Sequence, residues 1–96
     1  MKILAIEMEA KGKKHSDFEP HLKSEALKVW QLLQDDVIRE IYFDKEKNTA
    51  IIILECKGKQ EARKVLNTLP LVKEKLITFE IISLIPYSGF KRLFKL

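Results

Sequence analysis

The segment VIREIYF, residues 37–43, places an arginine and a glutamate side by side within an apolar and aromatic run. Side chains alternate along a β-strand, so Arg39 and Glu40 are expected to point to opposite faces of a sheet. A charge among apolar side chains is costly unless it is paired. An arginine among carboxylates in a semi-enclosed apolar space can hold an anionic ligand beside a proton-transfer group. Arg39 and Glu40 are therefore candidate ligand-binding residues.

The expected partners of Arg39 are three acids that each interrupt an otherwise apolar strand, namely Glu7, Glu55 and Glu80. Strict alternation would place Arg39 on one face with Val37, Ile41 and Phe43, and Glu40 on the other with Ile38 and Tyr42. The competing interpretation is a structural ion pair that fixes strand register or a subunit interface. The local pattern leaves both interpretations open.

Glu25 is a second candidate, because the helical row Leu22–Glu25–Val29–Leu32 places it at the border of an apolar stripe. His21 lies one turn earlier, within reach of Glu25. A carboxylate beside an imidazole can exchange protons near neutral pH, although a plain surface pair is the alternative. Trp30 is expected in the core, and the alternative is a flat wall of a ligand pocket.

Composition limits the function classes. The 96 residues fit one domain, and the net charge of +4 comes from scattered lysines, which indicates a solvated surface more than a nucleic-acid footprint. The single cysteine, Cys56, excludes an intramolecular disulfide and argues against a metal site. No apolar run approaches the ~20 residues of a membrane span, and no signal peptide is recognisable. A cytoplasmic protein with no membrane or nucleic-acid partner is expected.

The hydrophobic periodicity predicts an α+β domain of the ferredoxin-like type, with the order β-α-β-β-α-β and a four-stranded antiparallel sheet. The first helix is predicted to begin with Asp17 as its N-cap and Pro20 at the third helical position. The second helix is predicted to stop at Pro70. The predicted strands span residues 2–9, 37–43, 49–56 and 76–85. The first predicted helix begins near residue 17, and the second covers residues 59–69.

Both helices carry one apolar stripe, so both should cover the same face of the sheet. The strands are also apolar on their second face, which would carry Ile3, Ala5, Ile82 and Leu84 or their alternates. The simplest burial of that face is against an identical sheet, which makes a homodimeric barrel with a lumen. Residues 1–86 would form the domain. The apolar tail, residues 87–96, is expected to pack on the partner subunit.

The chain resembles the muconolactone delta-isomerase-like family, within the dimeric α+β barrel superfamily. The matching segments are LKSEALKVWQLL with Glu25, IREIYF with Arg39, LPLV at residues 69–72 and FEI with Glu80, within roughly residues 18–85. The resemblance implies a dimer or higher ring and a cofactor-free isomerase acting on a small lactone carboxylate. In that interpretation Arg39 holds the substrate carboxylate, and Glu25 or Glu80 is the base. The connection after LPLV and the C-terminal tail depart from authentic muconolactone isomerases, and the GFKRLF ending resembles that of a subgroup of small stand-alone proteins.

Two functions remain open from the sequence. The first is an enzyme that shuttles a proton in a small lactone or organic acid, with Glu25, Glu80 and His21 as catalytic candidates and Arg39, Trp30 and Glu40 as ligand-binding ones. The second is a non-catalytic homodimer that binds a small anion or metabolite. An RNA-binding domain of the same topology stacks bases on aromatic residues of its first and third strands, and here those strands contain none. No cofactor is expected for either function.

Overall fold

The computed structural model describes residues 1–94, so the last two residues of the predicted tail lie outside the described residues. The four predicted strands and the two principal helices are all present. The strands are β1 (Lys2–Glu9), β2 (Ile38–Phe43), β3 (Ala50–Glu55) and β4 (Ile77–Ser83). The helices are α1 (His15–Phe18), α2 (Leu22–Gln34), α3 (Lys59–Leu66) and α4 (Pro70–Lys73), with 3₁₀ turns at Glu19–His21 and Gly89–Leu93.

The strands form one antiparallel sheet in the order β2-β3-β1-β4. The two central strands are rich in β-branched and aliphatic residues, which favour extended backbone on a buried surface. Both principal helices lie on one face of this sheet. The predicted ferredoxin-like α+β fold is confirmed.

The core lies between the helices and the sheet. Alternation along each strand turns every second side chain towards the helices, and α2 and α3 add the apolar stripes that the sequence predicts. The fully or nearly fully buried residues are Ile3, Ala5, Leu32, Ile38, Ala50, Ile52, Leu54, Cys56, Ala62, Leu66, Leu69, Leu71, Leu76, Ile77, Phe79 and Ile81.

The second face of the sheet is called here the open face. The sequence predicted that it would carry Ile3 and Ala5 or the residues that alternate with them along β1, and the structure has the alternating residues there. Ile3 and Ala5 are fully buried beneath the helices. The cross-strand pairs on the open face instead join Leu4 to Ile53 and Ile82, and Ile6 to Ile51 and Glu80. The open face is therefore largely apolar, as the sequence indicates, with Leu4 and Ile6 in place of Ile3 and Ala5.

Strict alternation is wrong for β2, because the register shifts between Ile38 and Glu40. Ile38 pairs with Leu54 on the helix-covered face, whereas Glu40 pairs with Ile53 on the open face. Arg39 is the extra residue of this irregularity. A bulge of this kind on an edge strand locally re-aims the side chains and disrupts pairing.

The first helix begins differently from the prediction. Lys14, not Asp17, is the N-cap residue, and the Asp17 carboxylate accepts a hydrogen bond from the Lys14 backbone N–H at 2.8 Å. Pro20 lies in the 3₁₀ turn between α1 and α2. A proline lacks the N–H that a continuous helix would use, so the predicted single helix is divided in two.

Pro70 also has a different role from the predicted one. Helix α3 ends at Leu66, and Pro70 is the first residue of α4. Proline is favoured at this position because the first N–H of a helix has no intrahelical acceptor and the fixed φ suits the helix. The segment LPLV therefore starts a helix.

The turn between β2 and β3 is fixed by its own side chains. The Asp44 carboxylate accepts hydrogen bonds from the backbone N–H groups of Glu46 and Lys47, at 2.8 and 3.0 Å. These two bonds lower the pKa of Asp44. Asn48 closes the turn with a φ of 57°, a left-handed conformation that asparagine tolerates well. The turn sets the place where β3 begins.

The C-terminal segment follows β4 and contains the second 3₁₀ turn. The longest dimension of the chain is 61 Å. The large apolar side chains of this segment are exposed, from Ile85 to Phe94. None of the helices formed by residues 1–94 has the length and apolar character needed to cross a bilayer.

Candidate active site

A cleft of ≈ 620 Å³ opens between α2 and the helix-covered face of the sheet. It lies at the end of the sheet where β1 and β2 finish and where β3 and β4 begin. Its walls are mostly aliphatic and aromatic, and carboxylates interrupt them. The lining residues are Glu7, Glu9, Phe18, Leu22, Glu25, Ala26, Val29, Trp30, Leu33, Ile41, Tyr42, Phe43, Asn48, Ala50, Ile52, Leu71, Ile77 and Phe79.

Glu25 enters this cleft from the first turn of α2. Its Oε1 accepts a hydrogen bond from the backbone N–H of Leu71, at 2.9 Å. Burial raises the pKa of Glu25, the Leu71 N–H opposes that rise, and the charge of Glu7 adds to it. A half-buried carboxyl of this kind is more readily protonated than a surface glutamate and can act as an acid or a base.

Glu7 enters the cleft from the opposite wall, near the end of β1. The β1–β3 ladder ends at the Ile6–Ile51 pair, and the next backbone N–H of β3, that of Ala50, donates to Glu7 Oε1 at 2.8 Å. Burial is the largest influence on the pKa of Glu7 and raises it, and the nearby charge of Glu9 raises it further. One strand end therefore holds a second carboxyl in a fixed orientation.

The two carboxyls interact, because the charge of Glu7 raises the pKa of Glu25. The negative charge of Glu7 makes ionisation of Glu25 less favourable. The charged residues that line the described part of the cleft are all acids: Glu7, Glu9 and Glu25. The cleft therefore carries two carboxyls, on opposite walls, whose protonated forms are favoured by burial, and such groups can serve as a general acid or base.

Aromatic side chains surround the mouth of the cleft. Trp30 is 57% exposed and Phe43 is 69% exposed, although both line the apolar space. The expectation that Trp30 belongs to the core is therefore wrong, because more than half of the side chain is exposed at the cleft. Tyr42, on the other wall, is also exposed, and its hydroxyl donates to Glu40 Oε1 at 2.7 Å.

His21 and Glu80 do not line the cleft. The imidazole Nε2 of His21 lies 3.6 Å from Glu74 Oε1, so the histidine pairs with the residue after α4 while Glu25 bonds to Leu71. Glu80 pairs with Ile6 on the open face of the sheet. Among the three catalytic candidates from the sequence, the structure places Glu25 alone in the cleft.

Arg39 and Glu40 also lie outside the cleft. Arg39 is exposed on the edge strand, and its Nε donates to the backbone carbonyl of Asp36 at 2.7 Å. The nearest of its expected partners is Glu55, whose pKa is lowered first by the hydrogen bond from the N-terminal amine and to a smaller extent by the charge of Arg39. The expected meeting of Arg39 with Glu7 does not form, because Glu7 faces the helices.

Glu7 is the cleft residue whose role the sequence interpretation missed, since it was considered only as a partner for Arg39. A signal was present in the alternation itself. Glu7 shares a strand face with Ile3 and Ala5, both of which are fully buried. A carboxyl on the buried face of a central strand is costly without a hydrogen-bond donor or a solvent-filled space, so it marks a site.

No protein-family model matches the sequence, and no curated protein is similar to it. Among solved structures, the chain is similar to 5-chloro-2-hydroxyhydroquinone dehydrochlorinase (TftG) from Burkholderia phenoliruptrix AC1100, in complex with 2,5-dihydroxybenzoquinone. The TM-score is 0.66 over 93% of this chain and 98% of the dehydrochlorinase, at 13% sequence identity. At this identity the similarity shows the fold alone.

Proposed function

We propose that this protein binds a small, uncharged ring compound in the cleft and moves a proton within it, using Glu7 and Glu25 without a cofactor. The observation that carries the proposal is the pair of half-buried carboxyls, each held by a backbone N–H, on opposite walls of an apolar cleft. The expected reaction class is a double-bond shift or tautomerisation next to a carbonyl group.

The two carboxyls have different roles in such a reaction. The ionised member takes a proton from the carbon next to the substrate carbonyl, and the protonated member donates a hydrogen bond to the carbonyl oxygen, where negative charge develops. The first carboxyl then returns its proton to a different carbon of the enolate. The double bond shifts, the second carboxyl keeps its proton, and the enzyme ends as it began.

The charges of the cleft favour a neutral substrate over the anionic ligand that the sequence suggested. The anionic ligand depended on Arg39, and Arg39 lies outside the cleft. Three acids line the space, and they would repel a substrate carboxylate in a low-dielectric site. The exposed ring of Trp30 offers a flat apolar wall for a small ring. The dehydrochlorinase of similar fold was solved with 2,5-dihydroxybenzoquinone, which supports a small ring as the ligand and gives no support to its being uncharged.

We also propose that the open face of the sheet packs against a second copy of the chain. That face carries Leu4, Ile6, Ile51, Ile53 and Ile82, and its charged groups include Glu55, which pairs with the N-terminus, Glu40, which accepts from Tyr42, and Glu80 on the edge strand β4. Burying a contiguous apolar face is favourable in proportion to its area. A small domain gains stability from such an assembly.

The test of the proposed activity is deuterium exchange from D₂O into carbon positions of neutral lactones, cyclic enones and hydroxyquinones, followed by NMR. The protein should speed up exchange into at least one compound, and the matched neutral Gln variants Glu7→Gln and Glu25→Gln should not. Saturable binding of a neutral ring compound without exchange would support a non-catalytic binding protein instead. Preferential binding of carboxylates would contradict the proposal.

A further inference from the structure

The C-terminal segment, residues 84–94, is joined to its own domain at Leu84, whose backbone N–H donates to the Lys2 carbonyl oxygen, and it presents large apolar side chains to solvent from Ile85 onward. Tyr87, Phe90, Leu93 and Phe94 are all exposed. Several large apolar side chains exposed within one short segment are unusual in a monomeric protein and indicate a contact surface. The apolar side of the segment is therefore expected to pack against another surface.

The segment has a defined local shape. The rings of Tyr87 and Phe90 meet edge to face, with centroids 4.9 Å apart, and a 3₁₀ turn follows from Gly89 to Leu93. A Cβ atom at Gly89 would lie 2.0 Å from the Tyr87 hydroxyl oxygen, so a larger residue at position 89 would displace the Tyr87 ring from this position. An aromatic pair fixed in advance loses less conformational freedom on docking than a flexible tail.

The mouth of the cleft complements this segment in polarity and in charge. It offers exposed apolar surface at Leu22, Trp30 and Phe43, and the charged groups of the cleft are the acids named above. The segment carries Lys91 and Arg92 and no acidic residue. Complementary charge on two apolar surfaces favours their association and fixes its orientation.

Within one chain, the cleft and the C-terminal segment lie at opposite ends of the sheet. The cleft is at the end of the sheet that includes Ile77, the first residue of β4, whereas the segment leaves the sheet after Ser83, the last residue of β4. The large apolar side chains of the segment stay exposed on their own chain from Ile85 onward. A second copy of the chain is thus the natural source of a segment for each cleft.

We propose that residues 84–94 of a second copy cover the mouth of the cleft, with Phe90 against Trp30 and Phe43 and with Lys91 and Arg92 beside the acids. The cleft is then complete only in the assembly. Covering the mouth excludes water from the two carboxyls and strengthens their interaction. This inference concerns the same cleft as the proposed function, but it stands whether or not the cleft catalyses a reaction.

Disulfide trapping between two full-length variants tests the contact. Phe90→Cys in one copy and Phe43→Cys in another should form a mixed disulfide when the two proteins are mixed under mild oxidation. Phe90→Cys with Lys64→Cys, on the exposed surface of α3, should not. The native Cys56 is 4% exposed and present in every chain, so it gives a constant background.

Three results would overturn the inference. One is equal trapping by the Lys64→Cys control, another is no trapping with Phe43→Cys, and the third is a purely intramolecular disulfide in the double variant Phe43→Cys/Phe90→Cys. Trapping does not depend on turnover. Failure of the deuterium-exchange test would therefore contradict the proposed function and not the contact. Failure of trapping would contradict the contact and not the proposed function.

Fluorescence gives a second measurement, because Trp30 is the only tryptophan. Its emission should shift to shorter wavelength as the protein concentration rises, since the docked segment removes water from the ring. The charge reversal Lys91→Glu/Arg92→Glu and the shape variant Gly89→Ala should each lose this shift while the far-UV circular dichroism is unchanged. An emission maximum independent of concentration and of both variants would contradict the contact.

Discussion

Glu25 Oε1 accepts a hydrogen bond from the backbone N–H of Leu71 at 2.9 Å, across 46 positions of sequence. Pro70, the first residue of α4, has no N–H to donate, so Leu71 supplies the first backbone donor of that helix. One carboxyl therefore links α2 to the start of α4 while it lines the cleft. The same bond connects two segments, LKSEALKVWQLL and LPLV, that the family resemblance singled out separately.

Replacing Glu25 by alanine should lower the free energy of unfolding, because the Leu71 N–H loses its acceptor. The expected loss is about 1 kcal/mol, the usual cost of removing a side-chain cap from a helix N-terminus. Glu25→Gln keeps an acceptor oxygen and should lose much less. Urea denaturation of the two variants measures the difference. Equal destabilisation by alanine and by glutamine would mean that the charge, and not the hydrogen bond, stabilises this position.

Stability should depend on pH through Glu7 and Glu25. Both have a folded-state pKa above the ordinary value of 4.5, first because of burial. The folded chain therefore keeps these protons to higher pH than the unfolded chain, and their contribution to stability falls as pH rises from 4.5 through the folded-state pKa values. Asp44 and Glu55 have lowered pKa values. Their contribution to stability is therefore lost as pH falls through the folded-state pKa values.

The Glu7→Gln variant isolates this effect, because glutamine keeps the acceptor for the Ala50 N–H but does not ionise. Its stability relative to the unmodified chain should increase as pH is raised from about 4 to neutral and then level off. Urea denaturation across that range is the measurement. A relative stability that stays constant, or that decreases with rising pH, would show that Glu7 is not held in an environment that disfavours its charge.

The sequence predicted the fold well because the fold depends on periodicity. The alternation of residues 2–9 gave the bounds of β1, and the apolar stripe of α2 placed Glu25 at the edge of a cleft. Arg39 was misplaced because a register shift in an edge strand has no signature in alternation alone. Glu7 was undervalued because its partner is a backbone N–H of Ala50, which any residue supplies.

Proton transfer should require both cleft acids and not the acid on the open face. We expect Glu7→Gln and Glu25→Gln each to slow deuterium exchange into the best neutral ring compound by about 10²- to 10⁴-fold, the usual contribution of a positioned acid or base. Glu80→Gln is the matched control and should exchange at the original rate. Loss of exchange in the Glu80 variant, with retention in the Glu25 variant, would move the reaction to the other face of the sheet.

Trp30 should contribute to ligand binding more than to folding. Its ring is 57% exposed and lies at the mouth of the cleft. Trp30→Leu should weaken binding of a neutral aromatic ligand by roughly 1 kcal/mol, about fivefold in Kd, the value of a stacked aromatic contact. Calorimetry measures the affinity, and thermal unfolding measures the stability. A large loss of stability with unchanged affinity would assign the ring to packing.

The coupled carboxyl pair is the central claim, and an NMR titration of glutamate side-chain carbons tests it without any substrate. Glu7 and Glu25 should titrate above the ordinary value of 4.5. In the Glu7→Gln variant, the pKa of Glu25 should fall, because the neighbouring charge that raises it is gone. If both carboxyls titrate at or below 4.5, or if Glu25 is unaffected by the loss of Glu7, the cleft does not hold two electrostatically coupled acids.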